Sequence, residues 1–201
     1  MKERFQLVAG DVALDFVNTL DNRYAPDRLT DLLANYEAFL KFAVQTGMIA
    51  ERRARKLLQK TDAGERGRIL ERVIELREAM YFLFRSIAVR QSPKRECLET
   101  FNRFLAGTCV PEAIVWGKRQ FTRQHGKSDE TSNELLWPII DAAANLLTSQ
   151  DRNRIRECSD EKCRWLFVDR SKNHSRRWCD MRVCGNRAKV RRFHARRRNT
   201  G

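Results

Sequence analysis

Cys158-Ser159-Asp160-Glu161-Lys162-Cys163 and Cys179-Asp180-Met181-Arg182-Val183-Cys184 decide how the last quarter of this chain folds. Together they spell C-x4-C-x15-C-x4-C, two pairs of matched spacing. Tetrahedral zinc takes four thiolates, and two short-spaced pairs let two tight backbone turns each present two sulfurs. Two disulfides and four unrelated core cysteines are the other readings of the pattern. Disulfides suit a secreted chain. The N-terminus, Met1-Lys2-Glu3-Arg4-Phe5, lacks the apolar run and small-residue cleavage site of a secretory signal. A cytoplasmic protein with reduced thiols is therefore expected. Arg164, Arg176, Arg177 and Arg182 lie beside the cysteines. Their charge would offset the net negative charge of a four-thiolate zinc site and lower the thiol pKa values. A closed site of this kind has no open position for water, so one structural Zn²⁺ is expected. His174 sits in a polar loop and His194 in an Arg-rich run, and both read as solvated groups or phosphate contacts. Cys97 and Cys109 read as free cysteines.

The residues around the pairs complete a small module. Trp165-Leu166-Phe167-Val168 is β-prone and apolar, and should form a hairpin with residues 154–157 that closes a knuckle at Cys158–Cys163. Residues 186–198 hold neither Gly nor Pro and fit a helix. Val190 and Phe193, with Val183 behind them, are expected to face the zinc core. Arg187, Lys189, Arg191, Arg192 and Arg196 are expected to project outward. A zinc-stapled basic helix of this length is the size of element that enters a DNA major groove. The charge agrees. The net charge of the chain is +14, of which residues 1–150 carry +3 and residues 151–201 carry +11, mostly as Arg. A solvated, solubilising tail is the plainer reading of that surplus, but this tail also holds the cysteine framework.

Upstream, helical periodicity dominates. Residues 5–8 read as a short strand and Val12 to Leu20 as a short helix, with a strand as the competing reading. Leu32, Leu33, Tyr36, Phe39, Leu40 and Ala43 mark one face of a helix over 30–46 that ends at Gly47. Residues 50–60 form a basic helix. Residues 65–91 form a long one whose stripe runs from Ile69 to Ile87. Ser92-Pro93 reads as the start of another, with Leu98, Phe101, Phe104 and Leu105 buried. A hairpin is plausible over 109–130, with His125-Gly126 as its turn. Thr131-x-x-Glu134 is a capping box before a helix that contains Pro138. The fold class is thus mainly α with small β-hairpins: a helical domain over 1–149 and a four-cysteine finger, hairpin plus basic helix, over 150–201. No apolar run approaches the roughly 18 residues of a membrane helix.

Cys184-Gly185-Asn186-Arg187, with Asp169-Arg170-Ser171 and Arg176-Arg177-Trp178-Cys179 before it, resembles the bacterial CGNR zinc-finger family. Leu14-Asp15-Phe16-Val17-Asn18-Thr19 resembles the start of the ABATE domain that usually precedes such fingers. The resemblance implies a stress-related transcriptional regulator, with an N-terminal sensory or interaction domain and a DNA-binding finger. It also implies that the four cysteines are the zinc ligands.

These readings converge on a zinc-dependent DNA-binding regulator. Arg187, Lys189, Arg191, Arg192 and Arg196 would meet phosphates or bases, and Arg176 and Arg177 would grip the flanking backbone. Asn186 would cap the helix or read an adenine. Gly185 would serve the turn from ligand to helix. Asp15, Asn18 and Thr19, polar groups in an apolar segment, would line a small-molecule site or hold neighbouring turns. No nucleophile–base set, phosphate loop or paired-carboxylate signature appears, so an enzyme is not expected. Two other classes stay open: an RNA-binding or ribosome-associated zinc protein, and an enzyme of the helical domain with a purely structural finger. A small-molecule effector and a homodimer stay open as partners.

Overall fold

Asp11 starts the first helix. Its carboxylate accepts the Ala13 N–H at 2.9 Å and so caps α1 (Val12–Val17), which buries Ala13, Leu14, Phe16 and Val17. The computed structural model describes residues 5–107, 112–117, 120–125 and 131–198, with the side chains of 112–117, 120–125, 131–133, 196 and 198 left aside. Residues 5–8, expected as a strand, join no ladder. The Ala9 carbonyl instead accepts one N–H, from Val168 at 2.8 Å, and Gly10, at φ +81°, turns the chain into α1.

β1 (Leu20–Asp21) and β2 (Thr30–Asp31) pair antiparallel. This pairing and the Asn35 cap delay the next helix beyond its expected start. α2 (Tyr36–Gln45) begins where Asn35 accepts the Ala38 N–H at 2.8 Å, and it ends at Gly47, φ +75°. α3 (Glu51–Lys60) and α4 (Ala63–Ala88) follow, the latter capped by Asp62. α5 (Arg95–Gly107) begins beyond Ser92-Pro93 rather than on them. Phe101 and Phe104 are buried as expected, but Leu98 is exposed, because the face that meets α4 is centred on the two phenylalanines.

β3 (Glu112–Gly117) and β4 (Gln120–His125) form the anticipated hairpin. Its turn lies elsewhere than expected: His125 pairs with Glu112 at the open end, and Gly117 with Gln120 at the closed end, because the β-prone residues run on through Phe121 and Thr122. α6 (Thr131–Thr148) carries Pro138 inside it. The Thr131 side chain of the capping box, Gly126 and Cys109 lie outside what is described. A 3₁₀ turn (Gln150–Arg154) leads into β5 (Ile155–Glu157), which pairs antiparallel with β6 (Leu166–Val168). A π turn (Met181–Gly185) then runs into α7 (Asn186–Arg198). The fold is mostly helical with small antiparallel strand pairs and a C-terminal four-cysteine cluster.

One buried cluster joins the whole. Phe16, Phe39, Phe42, Leu76, Met80 and Ile139 of the helices share it with Ile155, Leu166, Phe167 and the four cysteines. α4 is the spine, since it touches α1, α2, α5, α6 and the β5–β6 hairpin.

Candidate metal centre

Each cysteine pair is presented by a turn whose carboxylate sits between the two sulfurs in sequence. In the first, the Cys158 N–H donates to the Trp165 carbonyl at 2.8 Å, and the N–H groups of Cys163 and Arg164 donate to the Asp160 carbonyl at 2.9 and 3.1 Å. Arg164 adopts φ +55°, the left-handed step that closes the knuckle. In the second, Asp180 accepts the Arg182 N–H on its side chain at 2.7 Å. Its carbonyl takes the N–H groups of Cys184 and Gly185. The Ser159 N–H donates to the Arg177 carbonyl at 2.8 Å and ties the two turns together.

The four Sγ atoms lie within 4.8 Å of one another and all four cysteines are buried. Cys163 and Cys179 are 3.5 Å apart at sulfur, and Cys179 and Cys184 are 3.7 Å apart. Sulfurs about 2.3 Å from a tetrahedral zinc stand roughly 3.8 Å apart, whereas a disulfide needs about 2.05 Å. The cysteines are free thiols converging on one point, so the disulfide reading falls. Contact with Cys158, then with Cys179 and Cys184, and then burial push the Cys163 thiol up. Contact with Cys158 pushes the Cys179 thiol up against an opposing contact with Cys163, and Cys184 and burial add to the rise. Donation from Cys163, Cys179 and Cys184 holds Cys158 down. Four negative charges cannot be held this close without a cation at the centre, and a soft divalent ion that takes four sulfurs fits the donor set. Among the described residues no other His, Cys, Asp and Glu group forms such a cluster. His174 is exposed, its Nδ1 3.3 Å from the Asp169 carbonyl. His194 is exposed on α7.

The loop between the pairs folds on Asp169, which is fully buried. Its carboxylate accepts the Ser171 N–H at 3.0 Å, the Ser171 hydroxyl at 2.6 Å and the Arg176 N–H at 3.0 Å. Burial works to raise its pKa, but the donors outweigh burial and hold it below the ordinary carboxylate value. Arg176 was expected to grip a nucleic-acid backbone; in the fold its guanidinium is bonded within the protein. Its Nε donates to the Trp178 carbonyl at 3.0 Å, and its Nη2 to the carbonyls of Val8, at 3.0 Å, and Cys179. Its guanidinium also lies 4.3 Å from the centre of the Phe167 ring. The group is spent as a bracket between the N-terminal segment and the second cysteine turn. Arg177 stays exposed beside Trp178.

α7 leaves the cysteine turn with its inner edge on Asp160, whose side chain is 1% exposed. Arg191 and Arg187 stand 3.4 and 3.9 Å from the Asp160 carboxylate. This pairing fixes the rotation of the helix and corrects one expectation. Val190 and Phe193 do not face the zinc core; they are 54% and 56% exposed. Among the described side chains of α7 only Ala188 tucks partly in, as does Val183 before the helix. Lys189 and Arg192 are exposed as expected. Arg196 lies on α7, its side chain outside the described set. Asn186 donates to the Arg182 carbonyl at 2.9 Å and thus secures the junction with the π turn. Gly185 does not need left-handed freedom; it leaves room for the Met181 side chain, which a Cβ would overlap.

Asp15 of α1 and Asn18 and Thr19 just after it are taken up by the fold. Asp15 accepts the Ala9 N–H at 2.9 Å, and burial pushes its carboxyl up to about 6. The Thr19 hydroxyl donates to the Phe16 carbonyl at 2.7 Å. Asn18, 3% exposed, donates to the Leu166 carbonyl and accepts the Leu166 N–H, both at 2.9 Å, as a substitute strand for β6. Sequence reasoning missed this link, and also missed Glu157, which accepts from Arg85 and Arg164 at 3.0 Å each. The aspartates could have been found: Asp160 and Asp180 each stand inside a C-x4-C pair, where a turn needs an acceptor. A small cavity of about 170 Å³ lies beside the cysteines, where Asp21 and Leu32 face Trp165 and Arg187.

Two buried thiol pairs on matched turns, followed by an exposed basic helix and fused to a helical core, define a zinc-finger protein with an N-terminal helical domain. Residues 154–197 match the CGNR zinc finger, and all four cysteines fall within that span. Residues 10–150 match ABATE, described as "Putative stress-induced transcription regulator". The chain belongs to the ABATE family. No curated protein was found to match it. No described helix is long and apolar enough to cross a membrane.

Proposed function

We propose that this protein is a cytoplasmic DNA-binding transcriptional regulator whose finger is organised by one structural zinc ion. The observation that carries the reading is α7: from Lys189 to Ala195 every side chain is exposed, and the helix rises straight from the second cysteine turn. Zinc, when bound, supplies the cross-link that fixes the two turns. Asp160 then sets the angle of the helix, and Arg177, Lys189 and Arg192 meet phosphates, with Arg187 and Arg191 at the flank. The helical domain serves as the sensory part rather than a catalyst. The cavity between Asp21, Leu32, Trp165 and Arg187 touches both parts, so a small molecule or partner seated there would alter the pose of α7. An RNA-binding role is the second reading, since the same basic surface suits an A-form backbone.

Binding of the zinc-loaded protein to random duplex DNA and to structured RNA, at about 150 mM salt, tests the proposal. Selective duplex binding that is lost with Cys184→Ser supports it. Equal, weak and fully salt-sensitive binding to both polymers refutes it.

A further inference from the structure

α7 has two differently built sides. Arg187 and Arg191, one turn apart, reach Asp160. About a third of a turn round the helix, Val190, Phe193 and Arg197 recur at spacings of three and four and so share one face. Val190 and Phe193 are more than half exposed. The Arg197 guanidinium lies 5.7 Å from the Phe193 ring centre, and His194 meets that ring edge-on at 5.8 Å. Lys189 and Arg192 flank the pair on the exposed surface. The result is an apolar strip rimmed by cations on a helix that touches the rest of the protein chiefly at its first turn.

Charge decides the occupant. A second copy of α7 laid against this strip would set Lys189, Arg192 and Arg197 against their own counterparts, a like-charge arrangement that disfavours pairing. A polyanion satisfies the rim instead. Of the polyanions, duplex DNA presents methyl groups at helix-accessible depth, because thymine carries its C5-methyl in the major groove, beside the phosphates. RNA carries uracil, without that methyl, and its major groove is too deep and narrow for side chains to read.

We infer that the Val190–Phe193 strip reads thymine methyl groups in the major groove, so that the protein prefers duplexes rich in thymine at the contacted steps. The inference rests on the DNA-binding reading above and adds the chemistry of the recognised base. Arg187 and Arg191 position the helix, and the strip supplies selectivity.

The test uses the full-length zinc-loaded protein and two alternating duplexes of equal length and charge, one of A·T pairs and one in which every thymine is deoxyuridine. Each methyl that meets the strip is worth about fourfold in affinity, the value of one buried CH₂ group. The wild type should bind the thymine duplex at least that much more tightly, and replacing cytosine by 5-methylcytosine in a G·C duplex should tighten binding in the same sense. Phe193→Ala, at an exposed position, should leave the melting temperature unchanged, weaken binding to the thymine duplex severalfold and abolish the difference from deoxyuridine. Val190→Ala should act in the same direction. Equal wild-type affinity for the two duplexes overturns the inference and leaves DNA binding standing. So does a Phe193→Ala loss that falls equally on both, or a solution dimer that Phe193→Ala breaks. Failure to bind any duplex, or tighter binding to structured RNA, refutes the DNA reading itself.

Discussion

Replacing Asn18 by Ala should loosen the finger from 148 residues away. The Asn18 side chain satisfies both backbone polar groups of Leu166, one as donor and one as acceptor, at 2.9 Å each, in a site with 3% exposure. Alanine leaves the Leu166 N–H and C=O buried without partners. Each orphaned group costs about 1–3 kcal/mol, so the pair should cost about 3 kcal/mol. For a chain of this size that lowers Tm by about 6–12 °C. Asn18→Asp retains only the acceptor and buries a charge, and should fall at least as far at neutral pH. The assay is thermal unfolding with zinc in excess, joined to the rate at which a chelator strips the metal. Because Leu166 pairs with Glu157, next to Cys158, stripping should accelerate in both variants. A Tm within about 1 °C of wild type, equivalent to a few tenths of a kcal/mol, would refute the reasoning. So would a lowered Tm with an unchanged rate of zinc loss.

Cys184→Ser should bind zinc far more weakly, read as metal content after dialysis, and should melt at lower temperature throughout, because the cysteines belong to the same core as the helices. Arg176→Ala should lower Tm and barely change the salt slope of DNA binding, since its guanidinium is bonded to three carbonyls of the protein; a slope shallower by about one would show it on phosphate. With about six exposed cations on phosphates, log affinity should fall with log salt at a slope of about −5, measured by titration between low and physiological salt. The Asp15 carboxyl is raised in the fold from 3.8 to about 6 by burial. Its protonated form therefore adds stability below about pH 4, and that contribution disappears as pH rises to about 6. Asp15→Asn keeps an acceptor for Ala9 without the charge, so its stability relative to wild type should grow between pH 4 and 6 and level off above. Denaturant titration of the zinc-saturated pair checks this, because thiolate protonation cancels in the difference.

The cysteine spacing and the apolar run at Trp165 to Val168 made the metal site and the β5–β6 hairpin readable, because both are short-range: a turn, a ladder and two pairs of sulfurs. Helix positions were readable from periodicity, though a cap such as Asn35 moved a start by several residues. The rotation of α7 was not readable. Two large apolar residues in thirteen define a face, but not whether anything covers it, and Asp160 decided that from outside the helix. The partners of Arg176 and Asn18 were not readable for a related reason. These partners, Val8 and Leu166, lie 168 and 148 residues away, and polarity alone does not distinguish a side chain that meets a ligand from one that meets backbone.

The bracket of Asn18, Arg176 and Glu157 bears on how such a protein can be rebuilt. Two family matches meet near residue 150 and suggest a cut site for grafting the finger elsewhere. A graft cut there would carry away Leu166 without Asn18, Arg176 without Val8 and Glu157 without Arg85, and would strand Ile155 and Phe167 in water. The transplantable piece is the finger together with α1 and the face of α4 that seats it, so recombination in this architecture must exchange a seam rather than a bead on a string.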